Sequence, residues 1–300
     1  MNYLLWLQRI REALGPVFEN LLNGISYLST AAIFVLLVIY WCFHKKTGKF
    51  ALLCYGIGQT LNQTLKAILC VQRPWILNEL IKPSEKAIKS ATGYSFPSGH
   101  SESSFAAYGA LVFKKFGKTP MTIGFVILIG LIGLSRNFLG VHTLQDVLAG
   151  FGVGLISILI VYALERNYGK YNDKMISFIG LAAVSFMSVY VLLKGYSGSE
   201  EQALLMKIDA MKAYGFMAGC IIAFFLEKNY VNFDTEEMTK KKCVIRLCTG
   251  LLMVLPVYLF SADVLRLFAN EMAAQWLRTF ITAVVAIWLV PLVFKRLEKM

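Results

Sequence analysis

Three short segments of this chain hold side chains whose types and spacing suit chemistry on a phosphate group. Lys66–Pro74 reads KAILCVQRP, Pro97–His100 reads PSGH, and Ser135–Asp146 reads SRNFLGVHTLQD. Between them they supply Lys66, Arg73 and Arg136 as cations, Ser98 and Gly99 beside His100, and His142 four residues before Asp146. Phosphate presents negative oxygens that guanidinium groups grip in two-point contacts. Lys66 adds a point charge, Ser98 a hydroxyl, and Gly99 allows close backbone approach. His142 and Asp146 share a face if a helix begins nearby. A carboxylate on one ring nitrogen sets the tautomer and leaves the other nitrogen free to attack phosphorus. His100 can then protonate the leaving oxygen, and later act as base toward water.

The elements that must position these groups are membrane spans. The chain has 300 residues, 57% of them hydrophobic and only 16% charged, against about 25% charged in ordinary soluble domains. Apolar blocks long enough to cross a bilayer, roughly 20 residues each, predict nine spans near 25–43, 49–70, 99–115, 120–135, 144–164, 175–194, 209–227, 244–263 and 276–294. The fold class expected is all-α, a polytopic transmembrane bundle. Residues 1–24 mix Arg9, Arg11, Glu12 and Glu19 with Leu, Ile and Trp, the pattern of an amphipathic helix lying on the membrane surface. Residues 25–195 then form a catalytic core, and 196–300 add further transmembrane helices of unknown role.

The formal net charge of +12 does not point to nucleic acid, because the basic residues stand in short tracts between apolar blocks. His44–Lys49, Lys114–Lys118, Arg166–Lys174, Lys228–Lys242 and the C-terminal lysines all fall on one side of the bundle. That side is expected to be cytoplasmic, with the C-terminus there and the three chemical segments facing outward. The six cysteines form no CxxC pair and read as buried small apolar residues.

In their order and spacing the three segments resemble the signature motifs of the type 2 phosphatidic acid phosphatase family, K-x6-RP, PSGH and SR-x5-H-x3-D. Every residue those patterns specify is present. The resemblance covers roughly residues 25–165. It implies a five- or six-helix core, a site at the outer membrane surface, no cofactor, no metal, and a two-step reaction through a phosphohistidine. It makes His142 the nucleophile, Asp146 its orienting partner and His100 the general acid, with Lys66, Arg73, Ser98, Gly99 and Arg136 as the phosphate cradle. The expected activity is hydrolysis of a lipid phosphate monoester or diphosphate. Candidate substrates are phosphatidic acid, phosphatidylglycerol phosphate, an isoprenyl diphosphate such as undecaprenyl diphosphate, or a sphingoid-base phosphate.

Three alternatives share the cradle: a lipid phosphotransferase, a non-hydrolytic transporter of a phosphorylated lipid, and a vanadium-dependent haloperoxidase, whose relatives are mostly soluble. The partners expected are a membrane lipid and the bilayer, with no nucleic acid and the oligomeric state open. The location expected is a plasma membrane. Outside the motifs, Ser101, Glu102, Gln59, Asn62, Gln63 and Thr64 either line the pocket or hydrogen-bond between spans. Tyr94 and Phe96 wall the pocket mouth or belong to the interfacial aromatic belt. Lys82, Lys86 and Lys89 attract anionic head groups or are solvated. Gly150, Gly152 and Gly154 read as close-packing positions, since no strand precedes them as a nucleotide loop would require.

Overall fold

A computed structural model describes residues 1–167 and 173–298, and no strand occurs among them. Lys170 and Lys299, two of the lysines in the basic tracts, lie outside the described residues. The helices are α1 (Asn2–Val38), α2 (Lys45–Leu69), α3 (Pro74–Leu77), α4 (Glu85–Ile88), α5 (Gly99–Ser104), α6 (Ala110–Phe113), α7 (Thr119–Phe138), α8 (Leu144–Arg166), α9 (Asp173–Leu193), α10 (Glu200–Leu226), α11 (Lys240–Leu265), α12 (Glu271–Val284) and α13 (Val290–Leu297). Wide turns at Phe105–Gly109 and Val285–Leu289 join α5 to α6 and α12 to α13.

Seven described helical segments are long and apolar enough to cross a bilayer, against nine expected. The two that fall short are α2, which carries Lys66, and the α5–α6 segment, which carries Gly99 and His100. The segment from α5 to α6 is too short for a full crossing, and α2 carries Gln59, Asn62, Gln63, Thr64 and Lys66 along its second half. Polar side chains of this kind are tolerated at membrane depth only where protein surrounds them. The lipid-compatible surface is carried instead by α7, where Ile123, Ile127, Leu131 and Leu134 are exposed, and by α9, where Phe178 and Phe186 are exposed.

A bend divides α1 within the N-terminal segment expected over residues 1–24. The backbone of α1 leaves helical geometry only at Gly15, with φ 75° and ψ −172°. Glycine alone takes that left-handed φ without strain, and the following Pro16 has no N–H to continue the ladder. The N-terminal helix therefore continues into the first span after one bend.

The chain packs as two compact units that interleave along the sequence. One comprises Met1–Ile33, Ile57–Ile160 and Gly195–Met206, and the other Phe34–Gly56, Val161–Lys194 and Lys207–Met300. The first unit contains every candidate site residue. In it the N-terminal helix is tied to the loops around the motifs. Arg11 donates through Nη2 to the Lys82 carbonyl at 2.7 Å and through Nη1 to the Phe138 carbonyl at 3.3 Å. Phe18 meets Phe138 edge-on at 5.8 Å. Leu22, Ala87, Ala91, Leu139 and Val141 form a buried cluster beneath the segment leading to His142. Lys86, one of the loop lysines, reaches Asn20 at 2.6 Å.

Helix α8 packs against α5 through two glycines. A Cβ on Gly150 would lie 2.5 Å from the Ser98 carbonyl oxygen and 3.1 Å from the Glu102 amide nitrogen. One on Gly154 would lie 2.8 Å from the Phe105 Cβ and 3.0 Å from the Ala106 amide nitrogen. Gly152, by contrast, faces open space. The helix whose first turn holds His100 thus touches the helix whose first turn holds Asp146, backbone to backbone. Gly150→Ala forces the two apart and is expected to lose at least about tenfold in phosphate release, with destabilisation in the range of about 1–3 kcal/mol typical of overpacking. Gly152→Ala is expected to behave as wild type in both turnover and thermal unfolding.

The second unit has its own core. Tyr40 packs edge-on against Phe224 and Phe233, and Phe233 against Phe294. Two buried charges are paired within it: Glu227 with Lys45 at 2.7 Å, and Arg246 with Glu298 at 2.6 Å. Gly215 and Gly219 of α10 approach the Trp276 and Phe280 carbonyls of α12.

Candidate active site

The chain reverses between α7 and α8, and that turn carries His142. Asn137 holds it by donating to the His142 carbonyl at 2.8 Å. Helix α8 starts with a reciprocal cap: Thr143 N donates to Asp146 Oδ2 at 2.7 Å, and Asp146 N donates to Thr143 Oγ1 at 3.2 Å. Such a box satisfies two amides that a helix start would otherwise leave open. It also sets the direction of the Asp146 carboxylate, whose Oδ2 lies 3.5 Å from His142 Nδ1. Ser95 Oγ donates to the same oxygen at 2.8 Å and stands 3.4 Å from His142 Nδ1. Imidazole and carboxylate are thus aligned through one shared hydroxyl, with a direct contact at the long end of the range common in unliganded sites.

Lys66, in the last turn of α2, donates to the Tyr94 carbonyl at 2.6 Å. Arg73, at the start of α3, donates from Nε to the Gly93 carbonyl at 3.2 Å and from Nη2 to the Thr92 carbonyl at 2.6 Å. Its Nη1 reaches both the Val141 carbonyl at 3.2 Å and His142 Nε2 at 3.0 Å. Residues 92–95 therefore form a strap whose carbonyls face two cations and whose Ser95 faces the Asp146 carboxylate. Tyr94 is fully buried rather than at a mouth. It stacks on Tyr196 at 6.1 Å, and its hydroxyl donates to the Ser197 carbonyl.

Arg136 stands at the end of α7, 1% exposed. Nη1 donates to Ser26 Oγ at 2.5 Å, while Nε and Nη2 have no hydrogen-bond partner among the described residues. Leaving buried donors unpaired costs about 1–3 kcal/mol each, more for charged groups, so this guanidinium is shaped for an anion. Ser98 caps α5, accepting from Ser101 N at 3.4 Å, and its own amide donates to the Asp146 carbonyl at 2.9 Å. The PSGH segment is thereby joined to the start of α8. Burial foremost, and then the Arg136, His142, Arg73 and Lys66 charges, hold the His100 imidazole well below the usual histidine range, and all eight motif residues lie together in the first unit.

Burial foremost, and then the neighbouring Arg73, Arg136 and Lys66 cations, hold the His142 imidazole well below the usual histidine range. It is therefore uncharged at neutral pH, with a lone pair available. The arrangement can bind a tetrahedral oxyanion against two guanidinium groups and present a neutral imidazole nitrogen to it.

Among the residues not singled out in the motifs, Ser95, Thr143 and Asn137 contribute directly to this geometry. Thr143 was legible as the first residue of a T-x-x-D cap before an apolar run. Ser95 and Asn137 carry no such local signal. Of the polar residues left open between pocket and span, Glu102 proves to bond between helices. Its Oε2 accepts from Gln59 Nε2 at 2.7 Å. Among the described residues, no group of three or more His, Cys, Asp or Glu side chains comes together.

Comparison with known proteins agrees with this picture. Residues 47–170 match the PAP2 superfamily, and residues 211–300 match the PAP2 superfamily phosphatase, transmembrane extension. The chain is 29% identical over 174 residues to phosphatidylglycerophosphatase B of Bacillus subtilis, covering 53% of this chain and 81% of that protein. It is 30% identical over 185 residues to a lipid A 4'-phosphatase of Porphyromonas gingivalis, covering 54% and 74% respectively. Sphingosine-1-phosphate phosphatase 1 of Rattus norvegicus is 27% identical over 142 residues, covering 44% of this chain and 31% of that protein. No solved structure matches the chain at a significant level.

Proposed function

The chain belongs to the PAP2 superfamily, and from that premise we propose that it is an integral membrane lipid phosphatase that works through a phosphohistidine on His142, without a metal ion. The observation that carries this reading is the Arg136 guanidinium, buried beside Arg73 and His142 with two nitrogens unpaired. A phosphoryl group satisfies those donors and brings its phosphorus to the imidazole. The Lys66, Arg73 and Arg136 cations supply the charge stabilisation that a divalent metal provides in other phosphoryl-transfer sites.

In the first step His142 Nε2 attacks phosphorus, and the bond from phosphorus to the lipid oxygen breaks. His100, which holds a proton once the dianionic phosphate offsets the surrounding cations, gives it to that oxygen. Asp146, aligned through Ser95, stabilises the imidazole as positive charge develops. In the second step water displaces His142 and returns a proton to His100. Arg73 Nη1 must leave His142 Nε2 before attack, and a bound phosphate offers it better acceptors. The likeness to phosphatidylglycerophosphatase B makes a terminal phosphate on a glycerophospholipid the first substrate to test. The basic tracts support a plasma-membrane orientation with the site outside and the C-terminus inside.

The test is phosphate release by the purified protein in detergent from phosphatidylglycerol phosphate, phosphatidic acid, lipid A 4'-phosphate, undecaprenyl diphosphate and sphingosine-1-phosphate, with EDTA throughout. Turnover that survives EDTA on at least one of them is the expected result. Phosphate binding without release from any of them would sink the hydrolase reading.

A further inference from the structure

Asn62 lies on α2 one helical turn before Lys66, which puts the two side chains on the same face. It is 0% exposed, and neither its Nδ2 nor its Oδ1 has a hydrogen-bond partner among the described residues. Its Oδ1 lies 3.7 Å from the point where a Cβ on Gly99 would stand, so the amide borders the PSGH segment beside His100. Burial of an unpaired carboxamide is expensive at both ends. Helix packing does not explain it. Three residues earlier on α2, Gln59 finds its partners on α5, in Glu102 at 2.7 Å and in Ser103. The two helices can satisfy an amide between them, and Asn62 is left open where the phosphate cradle begins.

The ligand that fits is set by what the amide offers. Nδ2 donates and Oδ1 accepts. A phosphate dianion only accepts, and would leave Oδ1 unpaired. Water does both. We propose that Asn62 is a further catalytic residue, which binds and orients the water that hydrolyses the phosphohistidine. The proposal rests on the phosphohistidine reading above. Water enters where the lipid oxygen left, on the side of phosphorus away from His142 and next to His100. Asn62 Oδ1 accepts a hydrogen bond from the water and so turns the oxygen lone pair toward phosphorus. The water oxygen bonds to phosphorus as the bond to His142 Nε2 breaks, and Nε2 keeps the electron pair. One water proton passes to His100, and the other stays on the new phosphate hydroxyl.

The experiment is rapid quench with phosphatidylglycerol phosphate labelled in its terminal phosphate, following acid-labile, base-stable phosphate on the protein. Asn62→Leu is expected to keep a burst of about one lipid product per enzyme, because the first step does not use the water. Decay of its phosphoenzyme is expected to slow by about 10- to 100-fold, the range for one hydrogen bond to a reacting group. A full-sized burst also reports that the variant is folded. Asn62→Ala carries the same test in a smaller side chain, should the leucine variant lose its burst. Phosphoenzyme decay at the wild-type rate in a variant that retains its burst overturns the role of Asn62. Turnover with no labelled protein in wild type or either variant overturns the phosphohistidine reading itself, and is thus distinguishable.

Discussion

Replacing His142 with alanine is expected to lower lipid phosphate release by at least about 10⁴-fold, the scale seen when a nucleophile or its base is removed from a site that otherwise still binds. The loss should fall on kcat, because Arg73, Arg136 and Lys66 remain to hold the substrate. The label trapped on the wild-type protein should vanish in this variant. The same residue sets the acid side of the pH profile. His142 is held below the ordinary histidine range, first by burial and then by the surrounding cations. A lowered value means the ring stays neutral and nucleophilic as pH falls through about 6.5, the usual histidine midpoint. Activity, read as kcat/KM, is lost only at the lower pH where the buried ring finally protonates. An acid limb centred at or above the usual midpoint would contradict a buried, cation-flanked nucleophile. Loss of only a few-fold in His142→Ala would remove the residue from the nucleophile's role.

Arg136→Ala is expected to cost about 10²- to 10³-fold in kcat/KM, the usual size when one preorganised donor to a developing oxyanion is removed. Binding of phosphate or vanadate should weaken in parallel. Arg136→Lys should recover little of this. Its ammonium is a point charge on a flexible stem, whereas the guanidinium reaches Ser26 through Nη1 and turns Nε and Nη2 toward the same side. Near-complete rescue by lysine would mean that charge alone, and not the two-point grip, is what the site requires. Ser26 sits on α1, so the N-terminal span helps aim the Arg136 guanidinium. Ser26→Ala is expected to fall between wild type and Arg136→Lys, with unchanged helical content by circular dichroism as the control.

Much of this protein was legible before any coordinates. The apolar blocks and the low charge content follow from the cost of bilayer burial, and they imply an all-helical membrane bundle without further information. The three motifs are local strings whose residue types suit phosphoryl chemistry and whose order resembles a family signature, so the eight candidate site residues could be named from the sequence. The T-x-x-D cap at Thr143–Asp146 is also local, and it predicts where α8 begins. The number of helices long and apolar enough to span differs from the nine expected. In α2 and the α5–α6 segment the apolar pattern is interrupted by polar residues such as Asn62, Lys66, Ser101 and Glu102, which the fold buries against protein.

What only the tertiary structure decided are contacts between residues far apart in the chain. Ser95 reaches Asp146 across 51 positions, and Arg73 reaches His142 across 69. Nothing in either local sequence encodes the meeting, because it depends on how α2, the strap and α8 pack. Which glycines matter was settled the same way. Gly150 and Gly154 face the backbone of α5 while Gly152 faces open space, although all three look alike on one helix. The unpaired state of Arg136 and Asn62 is likewise a property of the packed interior. A sequence lists the donors it carries, but only the fold determines which of them find partners and which are left for a ligand.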